Sequence, residues 1–429
     1  MTVSVIGAGL AGCEAAWILA NNGINVRLHE MKPHKYSPAH KYSGFAELVC
    51  SNSLKAEREA SAAGLLKAEM RLLGSLLLEC ADKSRVPAGG ALAVDRDNFS
   101  DAVTAKIRSH VNIEICEGEV DTLPEGYVII ATGPLTSDAF ANKITELCGN
   151  SLSFYDAAAP IITAASVNME KAFFAARYDR GDEDDYVNCP FNREEYEIFH
   201  EALITAECAE LHEFEKGQIY EGCMPVEVMA KRGLDTLRFG PLRPVGLRDP
   251  RTDNRPWAVV QLRRENASGS LYNLVGFQTN LKFPEQKRVF SLIPGLENMD
   301  VVRYGVMHRN TFLDSPRLLN TAFALKKEPR IRFAGQITGV EGYMESAMSG
   351  LVAAHQLLRE LNDKPRLHLP PETMSGALCD YISDESVSNF QPMGANMGLL
   401  PPLEERIKGK QERYQAIADR ALAKMRKLV

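Results

Sequence analysis

The chain contains 429 residues, of which 45% are hydrophobic and 24% are charged, and its formal net charge is −7. This length predicts at least two domains, and the composition is typical of a soluble globular enzyme. No apolar run approaches the ~20 residues that a membrane-spanning helix needs. The acidic balance gives no overall reason to expect a nucleic-acid partner.

Nine cysteines occur along the chain without a C-x-x-C pair. They predict reduced thiols and argue against a disulfide framework, a zinc ribbon or a dithiol–disulfide reductase, so no metal site is expected. The first predicted strand begins at Thr2, which leaves no room for a secretory signal peptide. We therefore expect a cytoplasmic protein.

The first feature along the chain is a glycine-rich turn between a strand and a helix. An apolar strand at residues 3–6 precedes a G-x-G-x-x-G segment, which consists of Gly7, Ala8, Gly9, Leu10, Ala11 and Gly12. A second strand at 25–29 ends at Glu30. In dinucleotide-binding folds the first glycine allows the tight turn, the second lets the backbone approach a pyrophosphate, and the third lets helix and strand pack. The acidic residue accepts hydrogen bonds from the adenosine ribose, so the pattern predicts a dinucleotide site.

Two later strands also run into glycine turns. Residues 127–131 lead to Gly133, and residues 330–334 lead to a stretch that runs from Gly335 to Gly342 and is followed by a helical pattern. Three such units spread over most of the chain predict a cofactor domain interrupted by an insertion. The arrangement resembles the two-part FAD domain of the glutathione-reductase-type flavoproteins, which favours FAD over NAD as the tightly bound cofactor.

The middle of the chain has a different pattern. Residues 257–262 and 271–277 predict a β-hairpin, and residues 194–211 predict a helix. The predicted fold is therefore an α/β protein with a Rossmann-like FAD domain and an inserted α+β domain. We expect the FAD domain at 1–155 and 320–429, the latter ending in a basic helix, and the inserted domain at 156–319.

Basic residues are concentrated in two regions. Nine Lys or Arg against three acids lie between 231 and 264, and eight against two lie between 406 and 429. Basic faces on an acidic protein can hold a phosphate backbone, and they can equally be solvated surface.

Two cysteines lie in polar, turn-like surroundings. Cys50 precedes small polar residues and, five positions on, Lys55, whereas Cys223 lies between Gly222 and Pro225. Such cation-flanked positions allow a thiolate to form and react, although packing as inert thiols remains an alternative.

From residue 2 to about 405 the sequence resembles one family, the folate- and FAD-dependent tRNA uracil-C5 methyltransferases (TrmFO). The blocks that carry the resemblance are GAGLAGCEAAW, ELVCSNSLK, PAGGALAVDR, YEGCMPVEVMAKRG, RFGPLRPVGL, VGFQTNLKFPEQKRVF, RYGVMHRNTF, FAGQITGVEGY and NFQPMGANMGLLPP. The related flavoprotein GidA (MnmG) has a long C-terminal extension that is absent here. A GidA-like tRNA-modifying role and another NAD(P)H-dependent flavin oxidoreductase are the alternative functions.

The resemblance implies methylation of the T-loop uridine at position 54 of tRNA. Carbon would come from 5,10-methylenetetrahydrofolate and electrons from reduced FAD, with NADH or NADPH reducing the flavin. The partners would be the T-arm of tRNA and a folate, with no membrane and no obligate protein partner. The target uridine would have to be flipped out of its stack.

The resemblance also implies roles for particular residues. Cys223 would be the nucleophile at uracil C6 and Cys50 the general acid or base, although the two roles could be exchanged. The glycines from Gly7 to Gly12 and Glu30 would hold the adenosine-diphosphate half of FAD, and Gly133 and the stretch from Gly335 to Gly342 would line the rest. His308 would pack near the pterin, and its alternative is an ordinary loop histidine.

Overall fold

The computed structural model describes residues 1–149, 152–157, 159–179, 185–209, 224–266, 268–305, 307–387, 390–405 and 407–428, with 152–157, 179 and 307–310 described by their backbone alone. The strands are β1 Thr2–Ile6, β2 Asn25–Glu30, β3 Ser53–Ala56, β4 Arg85–Val86, β5 Ala91–Val94, β6 Ile113–Glu117, β7 Tyr127–Ile130, β8 Leu152–Ala157, β9 Ile161–Thr163, β10 Phe173–Phe174, β11 Tyr186–Phe191, β12 Ala258–Arg264, β13 Leu271–Leu274, β14 Val301–Arg303, β15 Met307–Phe312 and β16 Ile331–Phe333. The α-helices are α1 Leu10–Asn21, α2 Ala62–Leu72, α3 Leu76–Lys83, α4 Arg96–Ser109, α5 Asp138–Cys148, α6 Arg193–Ile204, α7 Val226–Ala230, α8 Thr236–Phe239, α9 Phe283–Phe290, α10 Ser315–Leu318, α11 Tyr343–Leu361, α12 Met374–Ser383 and α13 Lys410–Met425.

A five-stranded parallel sheet forms the centre of the cofactor half of the chain. Its order is β16-β7-β1-β2-β6, and every neighbouring pair is parallel. From β6 to β16 the strands follow the chain order 3-2-1-4-5, which matches five of the six positions in the doubly wound nucleotide-binding order 3-2-1-4-5-6. The predicted Rossmann-like α/β fold is confirmed. The late strand β16 pairs with β7, so the last part of the chain completes a sheet that the first part begins.

Small residues let helix α1 pack closely against the end of β1 and against helix α11. A Cβ on Gly12 would lie 1.8 Å from the carbonyl oxygen of Gly7, so helix α1 can pack against the end of β1 only because this position is glycine. A Cβ on Gly350 of α11 would lie 2.1 Å from the carbonyl oxygen of Ala11. Helices α1 and α11 are therefore packed backbone to backbone.

A second sheet of six antiparallel strands has the order β10-β11-β12-β13-β9-β14. The predicted hairpin is confirmed, since β12 pairs with β13. The smaller sheets are β15-β8 and β3-β5-β4. Among the described residues, no helix combines the length and the apolar character that crossing a bilayer would require.

The helix predicted at 194–211 is shorter than expected. It begins at Arg193, where Asn192 and Glu195 form a capping box, and it ends at Ile204. The prediction is wrong beyond that residue because the chain turns to pair with another segment. Cys208 forms a β-bridge with Leu281. Residues 210 and 211 lie outside the described part of the chain.

The close contact of α1 with α11 predicts the cost of a methyl group at their interface. We expect Gly350→Ala to lower the free energy of unfolding by about 1–3 kcal/mol, because the added Cβ must push the two backbones apart. Thermal unfolding followed by circular dichroism measures the effect. Gly90→Ala is the matched control, since a Cβ there meets nothing within 4 Å. Equal stability of the two variants would contradict the prediction.

Candidate functional site

One cavity of about 580 Å³ opens at the carboxyl ends of the parallel strands. Strands β1, β2, β7 and β16 each end at its wall, which is where open α/β sheets bind their ligands. The predicted residues that line this cavity are Gly7, Ala8, Gly9, Leu10, Ala11, Glu30, Cys50, Gly133, Gly335 and Gly342. Gly12 is not in the lining and instead packs against Gly7.

The glycine loop offers backbone donors beside open space. Gly9 is the N-cap of α1, has no side-chain cap, and is followed by a first turn without acidic residues. A Cβ on Gly9 would meet nothing within 4 Å, whereas one on Gly7 would lie 2.6 Å from the carbonyl oxygen of Ala131. The N-terminus of α1 therefore presents a positive dipole end and N–H groups to the cavity, which fits a phosphate.

Glu30 lies at the end of β2 and is buried. Its Oε2 accepts the N–H of Ala8 at 2.8 Å, and its Oε1 accepts the N–H of Lys32 at 3.0 Å. A carboxylate has about four lone-pair positions, so each oxygen retains capacity for a ribose hydroxyl. The glycine loop and this carboxylate together fit the adenosine-diphosphate half of a dinucleotide.

A second helix begins at the cavity wall. Gly342 is the N-cap of α11, and a Cβ on it would lie 2.2 Å from Oε2 of Glu345. The Lys55 ammonium, which lines the cavity, lies 3.1 Å from Oε1 of this buried carboxylate. Within the described ranges, no group of three or more His, Cys, Asp or Glu residues is arranged to hold a metal ion.

Tyr343, the first residue of α11, organises the backbone around Cys50. Its hydroxyl oxygen accepts the N–H of Cys50 at 2.7 Å and the N–H of Ser51 at 3.1 Å, and it lies 3.0 Å from the Cys50 Sγ. Because two N–H groups occupy the oxygen, its own hydrogen is available for the sulfur. Burial of the hydroxyl and the neighbouring Cys50 raise the pKa of Tyr343 well above its ordinary value. Tyr343 therefore remains protonated and donates to the sulfur.

Arg96 fixes the chain just before Cys50. Its Nη1 donates to the carbonyl oxygens of Leu48 and Val49, both at 2.8 Å. The same guanidinium forms an ion pair with the buried Glu265, which follows β12. Arg96 thus joins the Cys50 segment to the antiparallel sheet.

Arg263 of β12 fixes the chain just after Cys50. Its Nη2 donates to the Ser51 hydroxyl at 2.8 Å, and its Nε donates to Oδ1 of Asn52 at 3.0 Å. The Asn52 amide in turn donates to the carbonyl oxygens of Val94 at 3.1 Å and Arg264 at 2.9 Å. Both sides of the half-buried Cys50 are therefore held by polar groups that are buried or partly buried.

The two other predicted residues are Cys223 and His308. Cys223 lies outside the described residues, but the N–H of Val226, three positions later, donates to the carbonyl oxygen of Gln278 at 2.7 Å. Gln278 lines the cavity, so Val226 lies next to its wall. His308 lies in β15 opposite Asp156 of β8, and its side chain lies outside the described part of the chain.

Sequence reasoning did not single out Tyr343, Arg96 or Arg263. Tyr343 and Arg96 close two of the blocks that carry the family resemblance. Arg263 belongs to a strand in which Gln261 and Arg263 alternate with apolar residues and are nonetheless buried. Because buried polar side chains need polar partners, polar residues that alternate with apolar ones in a strand indicate an internal polar contact.

The chain is similar to known proteins over its whole length. The family model described as glucose inhibited division protein A matches residues 2–365. The chain is 58% identical over 429 residues to the methylenetetrahydrofolate–tRNA-(uracil-5-)-methyltransferase TrmFO of Acetivibrio thermocellus, which spans 100% of this chain and 98% of that protein. It is 59% identical over 423 residues to TrmFO of Pelotomaculum thermopropionicum, with 98% and 97% covered. Among solved structures, GidA of Aquifex aeolicus matches with a TM-score of 0.71 at 16% identity, over 100% of this chain and 73% of that one, which shows a common fold.

The hydrogen bonds of Tyr343 predict the effect of removing its hydroxyl. In Tyr343→Phe the sulfur loses this donor, and two backbone N–H groups lose their acceptor at a cost of about 1–3 kcal/mol. We expect alkylation of Cys50 at neutral pH to slow several-fold, measured by mass spectrometry of the peptide that contains it. Tyr381→Phe is the matched control, because it also loses one hydroxyl, which donates to Gln391. Equal alkylation rates in both variants would refute the assigned contact.

Proposed function

The chain belongs to the TrmFO family of methylenetetrahydrofolate–tRNA-(uracil-5-)-methyltransferases, and we propose that it methylates C5 of uridine 54 in the T-loop of tRNA. The carbon comes from 5,10-methylenetetrahydrofolate. The observation that carries the proposal is that a dinucleotide cradle and Cys50 line the same cavity. We expect the reaction to take place in the cytoplasm, where the tRNA substrate is found.

FAD is the dinucleotide that fits the proposal. Residues 7–11 and Glu30 would hold its adenosine-diphosphate half, and Gly133, Gly335 and Gly342 would line the remainder. When bound, FAD supplies the hydride that completes the methyl group, and NADH or NADPH restores its reduced form. We propose that residues 1–155 and 320–429 form the FAD domain and that 156–319 form the inserted domain.

Two thiols would activate the pyrimidine. Uracil C5 is a weak nucleophile until a group adds at C6, and the Cys223 thiolate would make this addition. The resulting enolate-like C5 can then form a bond to the one-carbon unit. Cys50 would remove the C5 proton as the carbon–nitrogen bond between the one-carbon unit and its carrier breaks, which leaves an exocyclic methylene on C5. After hydride reduction of this methylene to a methyl group, the Cys223 sulfur would leave C6 and the C5–C6 double bond would form again. The Tyr343 hydroxyl supports this role of Cys50 because it donates a hydrogen bond to the sulfur that must accept the proton.

The basic stretch at 231–257 is the better candidate for the tRNA face. It begins at Lys231, the C-cap of α7, and α7 starts three residues after Cys223. Lys231, Arg243 and Arg255 are exposed, and none of them forms an ion pair with another described residue. Phe239 is 83% exposed and could stack on a base. By contrast, α13 packs on α2, which does not line the cavity.

A single assay separates the proposed function from its alternatives. The purified protein is incubated with an unmodified tRNA transcript, NADPH and methylenetetrahydrofolate labelled in the one-carbon unit. We expect label in the RNA, and none in a transcript with cytidine at position 54. Normal flavin reduction without labelled RNA would favour an NAD(P)H-dependent flavin oxidoreductase or a GidA-like role. A requirement for S-adenosylmethionine would exclude the proposal.

The proposed roles of the two cysteines predict the same result for their alanine variants. Cys223→Ala and Cys50→Ala should each abolish labelling of the tRNA while FAD remains bound, because neither change touches the glycine loop. Flavin absorbance and the labelled-folate assay measure the two properties. Cys116→Ala, a change in β6, is the control and should retain normal activity. A wild-type rate in either of the first two variants would remove that residue from the mechanism.

If the basic stretch at 231–257 binds tRNA, removal of its charges should weaken tRNA binding and make it less dependent on salt. Replacing Lys231, Arg243 and Arg255 together by alanine should weaken tRNA binding and reduce the slope of log affinity against log salt by about 2–3. Filter binding at several salt concentrations measures this slope. Replacement of Lys408, Lys410 and Arg413 removes the same charge near α13 and should have a smaller effect. The reverse order of the two effects would assign the tRNA face to the C-terminal helix.

A further inference from the structure

The Cys50 segment is surrounded by an excess of positive charge. Three guanidiniums meet there: those of Arg96, Arg263 and the half-buried Arg303. The carboxylates that face them are those of Glu265 and Glu47, and Glu47 also lies 3.7 Å from the Lys32 ammonium. Cations thus outnumber anions around this part of the cavity.

Arg263 is the cation with the least compensation. Its side chain is 7% exposed, and its hydrogen bonds go to two neutral groups, the Ser51 hydroxyl and the Asn52 amide. Among the described residues, no carboxylate lies within ion-pair distance of it. Burial lowers the pKa of Arg263, and the neighbouring Tyr186, Glu265 and, to a smaller extent, Cys50 oppose this effect. A buried cation held only by neutral groups is costly unless an anion lies nearby.

The Cys50 sulfur is the anion that this arrangement can stabilise. It lies next in the chain to Ser51, to which Arg263 donates, and it accepts the hydrogen bond of Tyr343. We propose that Arg263 is a positioning residue that fixes the segment after Cys50 and supplies the buried positive charge that keeps this sulfur anionic. A thiolate in that position is ready to accept the C5 proton. This consequence for methylation rests on the proposed function, whereas the effect of Arg263 on the sulfur does not.

The test must consider every charged or titratable group near the sulfur. These groups are Tyr343 of α11, Arg96 of α4, Tyr186 of β11, Arg263 of β12, Glu265 after it, Arg303 of β14, Lys55 of β3, and Lys32, His40 and Glu47 from the chain that precedes Cys50. Of these, Arg263 and Glu265 have opposite charges, and each has an uncharged substitute of similar shape. If these residues had a purely structural role, the two substitutions would not shift the pH dependence of Cys50 alkylation in opposite directions.

The experiment follows alkylation of Cys50 by iodoacetamide in the FAD-loaded, full-length protein across pH values from about 5 to about 10. We expect Arg263→Gln to raise the pH of half-maximal rate by about one unit, which slows alkylation at neutral pH about tenfold. Glu265→Gln should shift the profile in the opposite direction. Arg263→Lys retains the charge and should restore most of the wild-type profile. Arg264→Gln is the matched control, one residue further along β12, and should leave the profile unchanged.

The proposal is overturned if Arg263→Gln binds FAD normally and keeps the wild-type profile. It is also overturned if Glu265→Gln shifts the profile upward, an outcome that decides the matter even where Arg263→Gln does not fold. The alkylation assay contains neither tRNA nor folate. Loss of the predicted shifts therefore contradicts the role of Arg263, whereas a failure of RNA labelling alone contradicts the proposed function.

Discussion

Contacts distant in sequence determine the conformation around Cys50. The Tyr343 hydroxyl comes from the start of α11, Arg96 from the start of α4 and Arg263 from the antiparallel sheet. Tyr343 and Arg263 can contact the segment only when α11 and the antiparallel sheet are packed next to it. The Cys50 sulfur is therefore positioned by tertiary contacts, and its local sequence alone is insufficient.

The cavity is an anion-binding environment within an acidic protein. The N-terminus of α1 favours phosphate at one part of the wall, and Arg96 and Arg263 favour a negative sulfur at another. Because the chain as a whole has a net charge of −7, such local positive potential is specific to the site rather than general. A substrate with phosphates and a folate with carboxylates would both be attracted to it.

The sequence allows the cofactor half to be predicted far better than the sulfur site. The glycine loop and Glu30 follow strands with local patterns, so the parallel sheet and its cradle could be inferred from spacing alone. Tyr343 and Arg263 have no local pattern of that kind, because their roles depend on which distant segment they meet. The early end of α6 at Ile204 has the same origin, since pairing of Cys208 with Leu281 overrides a favourable helical pattern.

The strands of the antiparallel sheet lie, in sequence, between strands β7 and β16 of the parallel sheet. The contacts between the two sheets have a mechanical consequence. Arg263 and the carbonyl oxygens of Arg264 and Glu265 belong to the antiparallel sheet, yet they hold Asn52 of the cofactor half. Any displacement of that sheet relative to the parallel sheet must break buried hydrogen bonds or carry residues 51 and 52 with it. Breaking them would leave buried polar groups, such as the Asn52 amide, without partners, which is costly. Movement of the sheet that carries the proposed tRNA face would therefore be transmitted to the position of Cys50.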